Sequence, residues 1–157
     1  MTYTRFEQLP VWQQAIDLAQ RVFIVTGDKL FAGQGDLANQ LQRAALSVSN
    51  NIAEGYERGT ANELITFLYY ARGSSGEVRS MLCLVERMER YKALQSDIAE
   101  IKSVAESCSR QIRAWTDHLQ NSDIKGHRHL NDEVKATEQT NAFKEKLKRI
   151  AKRESEI

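Results

Sequence analysis

The chain has 157 residues, of which 41% are hydrophobic and 27% charged, with one proline and eight glycines. That composition suits one domain with an appendage, excludes wholesale disorder and permits long helices almost everywhere. The net charge of +1 speaks against strong sequence-independent nucleic-acid binding by the body of the chain, but the charge is unevenly spread. Residues 1–119 carry 13 Lys/Arg against 14 Asp/Glu, whereas residues 120–157 carry 9 against 7. Within that tail, Phe143 to Arg153 holds six basic residues and one acid.

No apolar stretch approaches the roughly 20 residues needed to cross a bilayer, and Met1 to Phe6 lacks the pattern of a signal peptide. The expected location is the cytoplasm, with no membrane partner. Cys83 and Cys108 fall inside predicted helices without C-x-x-C spacing, so reduced, packed thiols are expected.

An opening arm places Tyr3, Phe6 and Leu9 at three-residue intervals before Pro10, which suits a first helical turn because its missing N–H would be unpaired there anyway. The first helix is predicted to run to about Thr26, with Trp12, Ile16, Ala19, Val22 and Phe23 as its apolar face and Gly27 as its stop. The loop Asp28 to Gly35 is rich in turn formers. A second helix is predicted from Asp36, whose carboxylate can accept from first-turn N–H groups, with Leu37, Leu41, Ala44, Val48, Ile52 and Tyr56 on one side. Gly55 and Gly59 bracket its end. Thr60-Ala-Asn-Glu63 reads as a capping box that opens a third helix, its core stripe Leu64, Phe67, Leu68, Ala71, Ser75, Val78, Leu82 and Val85. If that helix reaches Tyr91 it is about 48 Å long.

Ser96-Asp97 marks the start of a fourth helix. Its apolar residues Ile98, Ile101, Ala105, Cys108, Ile112, Trp115 and Leu119 alternate three- and four-residue steps, the narrow seam of a coiled-coil-like bundle. The fold class is therefore all-α: an antiparallel up-down four-helix bundle over residues 1–119, followed by a polar linker and a basic tail over 120–157. In the tail, Phe143, Leu147 and Ile150 recur at i, i+4 and i+7. A short fifth helix there is too small to stand alone, so it either docks on something or stays frayed.

Two segments break the rules of a plain bundle. The second helix places Ser47, Ser49, Asn50 and Asn51 at its middle, each costing a few tenths of a kcal/mol relative to alanine. Gln40, Arg43, Ser47, Asn51, Glu54 and Arg58 share one face there, either a solvated stripe or one that meets a subunit or ligand. The third helix carries Gly73 and Gly76, at about 1 kcal/mol each. Their small size suggests close backbone packing, with Arg72, Ser74 and Glu77 beside the contact; a simple kink is the alternative.

Enzyme signatures are absent: there is no H-E-x-x-H, no G-x-x-x-x-G-K-[ST] and no G-x-S-x-G. Gly33-Gln34-Gly35 follows no strand and makes a poor phosphate loop. His127 and His129 lack cysteine companions, so neither a metal nor another cofactor is expected.

Three blocks carry a family resemblance. They are Phe6-x-x-Leu9-x-Val11-Trp12-x-x-Ala15; Leu37-x-x-Gln40-Leu41-x-Arg43-Ala44-Ala45-x-Ser47 with Asn51-Ile52-Ala53-Glu54-Gly55; and Phe67-Leu68-x-x-Ala71-Arg72-Gly73-Ser74-x-x-Glu77. Together they resemble the four-helix-bundle proteins encoded in intervening sequences of bacterial 23S ribosomal RNA genes, the S23 ribosomal protein family. Ser49 departs from the proline or alanine often found there, and the tail is longer than the family core.

The resemblance implies a non-enzymatic homo-oligomer, a pentameric ring, associated with RNA. A related branch, the accessory proteins of diversity-generating retroelements, implies a reverse transcriptase as an alternative partner, with the chain as a protein-interaction scaffold. On this reading Arg43, Arg58, Arg72 and Arg79 in the bundle and Lys144, Lys146, Lys148, Arg149, Lys152 and Arg153 in the tail are RNA-binding candidates. Gln40, Ser47, Asn51, Glu54, Gly73, Ser74 and Glu77 are candidates for a subunit interface or polar network.

Overall fold

A computed structural model describes residues 3–123 together with 136–137, 140–141, 143–144 and 146. Four helices make the body: α1 (Pro10–Thr26), α2 (Gly35–Glu57), α3 (Ala61–Arg87) and α4 (Gln95–Gln120). Short 3-10 turns at Phe6–Gln8, Lys29–Phe31 and Glu89–Leu94 lead into or join them, and no strand occurs among the described residues. Each helix packs on the next and α4 closes back on α1. Hydrogen bonds between neighbours fix an antiparallel register: Gln42 to Thr26 (2.8 Å), Ser74 to Ser47 (2.9 Å), Ser75 to the Ala105 carbonyl (2.6 Å), and Gln111 to Gln14.

The core follows the predicted stripes on three helices. Leu41, Ala44, Val48 and Ile52 of α2, Leu68, Ala71, Val78, Leu82 and Val85 of α3, and Ile98, Ile101, Ala105, Cys108 and Ile112 of α4 are all buried. Each fully buried Leu, Ile or Val contributes about 1.5–3 kcal/mol relative to exposure. Trp115 is only partly covered, and Thr116 beside it is buried instead, its hydroxyl bonding back to the Ile112 carbonyl at 2.8 Å.

On α1 the predicted face is wrong by part of a turn. The buried residues are Val11, Ala15, Leu18, Ala19, Val22 and Val25, whereas Ile16 and Phe23 are exposed and Trp12 is half-buried. Val11, Ala15, Leu18, Val22 and Val25 also follow three- and four-residue steps, and in a helix this apolar the competing stripe is chosen by its neighbours.

The helix ends bring further corrections. Thr60 caps α3 by accepting from the Glu63 N–H (3.2 Å), but Glu63 does not bond back to the backbone; its carboxylate accepts from the Thr60 hydroxyl at 2.6 Å. α2 begins one residue before Asp36, behind Gln34, and no side chain caps it. Asp36 then sits in the first turn, where its charge favours the positive end of the helix. α3 stops at Arg87 short of Tyr91, which lies in the following turn at φ −100°, ψ 15°. There Tyr91 is fully buried with its ring 4.6 Å from Phe31.

The expectation that Gly73 and Gly76 permit close packing within the fold is also overturned. A Cβ on either would meet nothing within 4 Å, and α3 runs through both without a break. The glycine that permits close approach is Gly55, where a Cβ would lie 2.7 Å from Phe67 Cβ. Gly59, at φ 84°, makes the turn from α2 into α3.

Candidate functional site: the groove between α2 and α3

Three of the poor helix formers of α2, Ser47, Ser49 and Asn51, are tied to their own helix or to α3. Asn51 Nδ2 donates to the Ser47 carbonyl (2.7 Å) and to Ser47 Oγ (2.9 Å). Across the helix pair, Ser74 Oγ lies 2.9 Å from Ser47 Oγ and 3.1 Å from the Tyr70 carbonyl. Such side chains normally compete with helical backbone bonds. Here they stitch α2 to α3 and form one edge of an open groove.

That groove has a volume of about 910 Å³ and draws Gln40, Arg43, Ser47, Asn51 and Glu54 from α2 and Glu77 from α3 into one lining. Six of the residues singled out from the sequence therefore come together, with Ser74 behind Ser47. Ala44, Leu46, Asn50, Ser80 and Met81 complete the wall. Sequence reasoning noted Asn50 only as a poor helix former and missed Leu46, Ser80 and Met81; an exposed leucine on a non-core position was the signal available for Leu46.

The charges are divided. Glu54 pairs with Arg58 at 2.6 Å, and the Arg58 guanidinium also sits 5.1 Å from the centre of the Phe67 ring. The hydrogen bond that Arg58 donates to Glu54 raises the Arg58 pKa above its ordinary value. Arg43 and Glu77 line the groove without any ion pair among the described residues.

The other candidates lie apart. Arg79 lines a second groove of about 510 Å³ between α3 and α4, with Cys83, Glu86 and Lys102, and the Lys102–Glu86 pair there measures 2.6 Å. Gly73 is exposed and Arg72 half-buried; neither lines a groove. Lys144 and Lys146 are exposed helical positions, while Lys148, Arg149, Lys152 and Arg153 lie outside the described residues.

Among the described residues, Arg43, Arg72, Arg79 and Arg87 have neither an ion pair nor a side-chain hydrogen bond, and all four stand on α2 or α3. Arg87 was not among the sequence candidates. The arginines of α1 and α4 are all paired: Arg21 with Asp17 and Glu100 (both 2.7 Å), Arg110 with Glu106 (3.0 Å) and Arg113 with Asp117 (3.6 Å). Of the four unpaired arginines, Arg43 opens its guanidinium beside the amides and hydroxyls of the α2–α3 groove, a set that recognises phosphate or polar edges by hydrogen bonding, while Arg79 stands in the groove between α3 and α4. No group of three His, Cys, Asp or Glu able to hold a metal occurs among the described residues. The thiols are free, and burial pushes that of Cys108 up to about 12.

Fold and groove define a helical-bundle protein with a hydrogen-bonding face on its second and third helices. The chain belongs to the 23S rRNA-intervening sequence protein family, whose model matches residues 7–114 and so spans α1 through most of α4. The family description names no reaction. The chain is similar to a crystal structure of a protein of unknown function from the S23 ribosomal protein family of Bacteroides thetaiotaomicron, at 21% identity and a TM-score of 0.47. That match covers 63% of this chain and 97% of the other. No curated protein matches the chain. No helix among the described residues is long and apolar enough to cross a membrane.

Proposed function

We propose that the protein is a non-enzymatic, RNA-associated binding protein that assembles as a homo-oligomer, a pentamer, and holds RNA through the open arginines of α2 and α3 and the basic tail. The observation that carries this reading is the placement of the unpaired arginines. A guanidinium already bound to a carboxylate has little to offer a phosphate, and Arg43, Arg72 and Arg79 have no such partner. Repetition of these arginines around an assembly would multiply weak phosphate contacts by avidity. Family membership supports an association with ribosomal RNA genes and their products.

The test combines solution mass with salt dependence. Light scattering on the full chain should give about 90 kDa, five times the 17.9 kDa protomer. Binding to a structured RNA should weaken steeply with salt, the slope reporting the phosphates neutralised. A monomer with salt-insensitive binding would remove the proposal. A second reading, a scaffold for a protein such as a retroelement reverse transcriptase, is favoured by the apolar members of the groove, Leu46 and Met81. It predicts capture of that protein with no RNA retention by the chain alone.

A further inference from the structure

Glu77 is a carboxylate without a cation. Its neighbours one turn away on α3, Gly73, Ser74, Ser80 and Met81, carry no positive charge, so its own helix offers it no ion pair. Arg43 lines the same groove from α2, and among the described residues neither Arg43 nor Glu77 has an ion pair or a side-chain hydrogen bond. Glu54, the other carboxylate of the lining, is held by Arg58 at 2.6 Å. The groove thus keeps one cation and one carboxylate uncommitted.

A free carboxylate repels phosphate, and a groove that met only the RNA backbone would bind better without one. A carboxylate accepts from N–H groups, and of the four RNA bases guanine alone sets two donors side by side, N1–H and N2–H, to match its two oxygens. Adenine and cytosine place a ring-nitrogen acceptor beside their amino group, and uracil flanks its N3–H with two carbonyls. Each of those edges turns a lone pair toward the carboxylate. Base pairing covers the guanine edge in a duplex, and a single strand leaves it free.

The rest of the lining suits a nucleotide. Its volume of about 910 Å³ lies within the roughly 300–1,000 Å³ that small-ligand sites occupy. Arg43 supplies a planar fork for phosphate oxygens. Leu46, 39% exposed, and Met81, partly buried against the core, offer apolar surface to the face of a base, and a thioether is well matched to an aromatic ring.

We propose that the α2–α3 groove binds one unpaired guanine nucleotide of RNA, with Glu77 accepting from N1–H and N2–H, Arg43 holding a phosphate, and Leu46 and Met81 against the base. This rests on the RNA reading above and adds a base preference that open arginines by themselves do not confer, because phosphate contacts carry no sequence information.

Fluorescence anisotropy on the full chain at low salt tests it, with short labelled U-rich oligonucleotides that differ at one central base: guanine, inosine, adenine, cytosine or uracil. Guanine should bind about tenfold more tightly than uracil, as a bidentate base contact allows, and inosine, which lacks the N2 amine, should lose most of that gain. Glu77→Gln, at an exposed position, turns one acceptor into a donor and removes a negative charge. It should weaken the guanine oligonucleotide and leave the uracil one unchanged or tighter, whereas a purely electrostatic role would tighten both alike. Glu57→Gln makes the same change of charge at an exposed site of α2 outside the groove and should keep the preference. Guanosine monophosphate, added as competitor, should displace the guanine oligonucleotide only at far higher concentration; displacement at matching concentration would overturn the assignment to RNA in favour of a free nucleotide. Equal affinity across the bases, or a preference that survives Glu77→Gln, would overturn the proposal and leave the RNA reading standing. Absence of binding to every oligonucleotide would overturn it too, and the structured RNA then shows whether the RNA reading falls with it.

Discussion

The two halves of the bundle treat charge in opposite ways. On α1 and α4 every arginine is bound to a carboxylate: Arg21 bridges both helices through Asp17 and Glu100, and Arg110 and Arg113 each meet an acid one turn away. On α2 and α3 only Arg58 is so bound, and Arg43, Arg72, Arg79 and Arg87 are left open. Exposed pairs of the first kind add about 0–1 kcal/mol, so the difference matters little to stability. What it changes is the surface available to another molecule. One half answers its own charges, while the other keeps guanidinium groups uncommitted, Arg43 in the α2–α3 groove and Arg79 in the α3–α4 groove.

The sharpest way to separate the two uses of small residues on that face is to fill them. Gly55→Ala forces a methyl against Phe67 Cβ, where the added atom would sit at 2.7 Å. Chemical denaturation should show a loss of about 1–3 kcal/mol from overpacking. Gly73→Ala adds its methyl to open space and should stabilise the isolated bundle by about 1 kcal/mol through helix propensity. If Gly73 serves a contact between molecules, the same change should weaken assembly while it raises the melting temperature. Equal destabilisation by both changes would erase the distinction.

A smaller effect is expected from the polar stitch. Asn51→Ala removes two donated bonds at a half-buried site but gains helix propensity, so the net loss should be within about 1 kcal/mol. RNA or partner binding should fall by more than stability does. The least intrusive probe concerns the thiols. Cys108, buried and pushed up to about 12, should resist alkylation in the native state while the half-buried Cys83 reacts. Because the folded protein keeps the Cys108 proton where the unfolded chain releases it, above pH about 8.5, this residue favours unfolding increasingly as pH rises toward 12. Cys108→Ala should flatten that alkaline loss, measured as denaturation midpoint against pH.

The legibility of the sequence divides along physical lines. α4 could be read almost residue by residue, since its apolar positions are separated by polar ones and only one stripe satisfies three- and four-residue steps. α1 could not: Trp12, Ile16 and Phe23 compete with Val11, Leu18 and Val25, and tertiary packing makes the choice. The groove was visible as a run of Ser and Asn where better helix formers are expected, because a local penalty leaves a mark in sequence. Which glycine touches a neighbour was invisible, since Gly55 and Gly73 differ only in what lies across from them. The same holds for the unpaired arginines: sequence shows a charge but not the absence of its partner.

If the proposed function is right, the open arginines of α2 and α3, and not basic residues in general, meet RNA. A paired comparison tests it: one full-length variant with Arg43, Arg72 and Arg79 changed to Gln, another with Arg21, Arg110 and Arg113 changed to Gln, each titrated with the same structured RNA over a range of salt. The two variants have the same formal charge. The first should bind more weakly and lower the magnitude of the salt slope by about 0.7–0.9 for each phosphate no longer neutralised, and the second should match the wild type. Equal weakening by both, or none by the first, would contradict an RNA-binding role for the open arginines of α2 and α3.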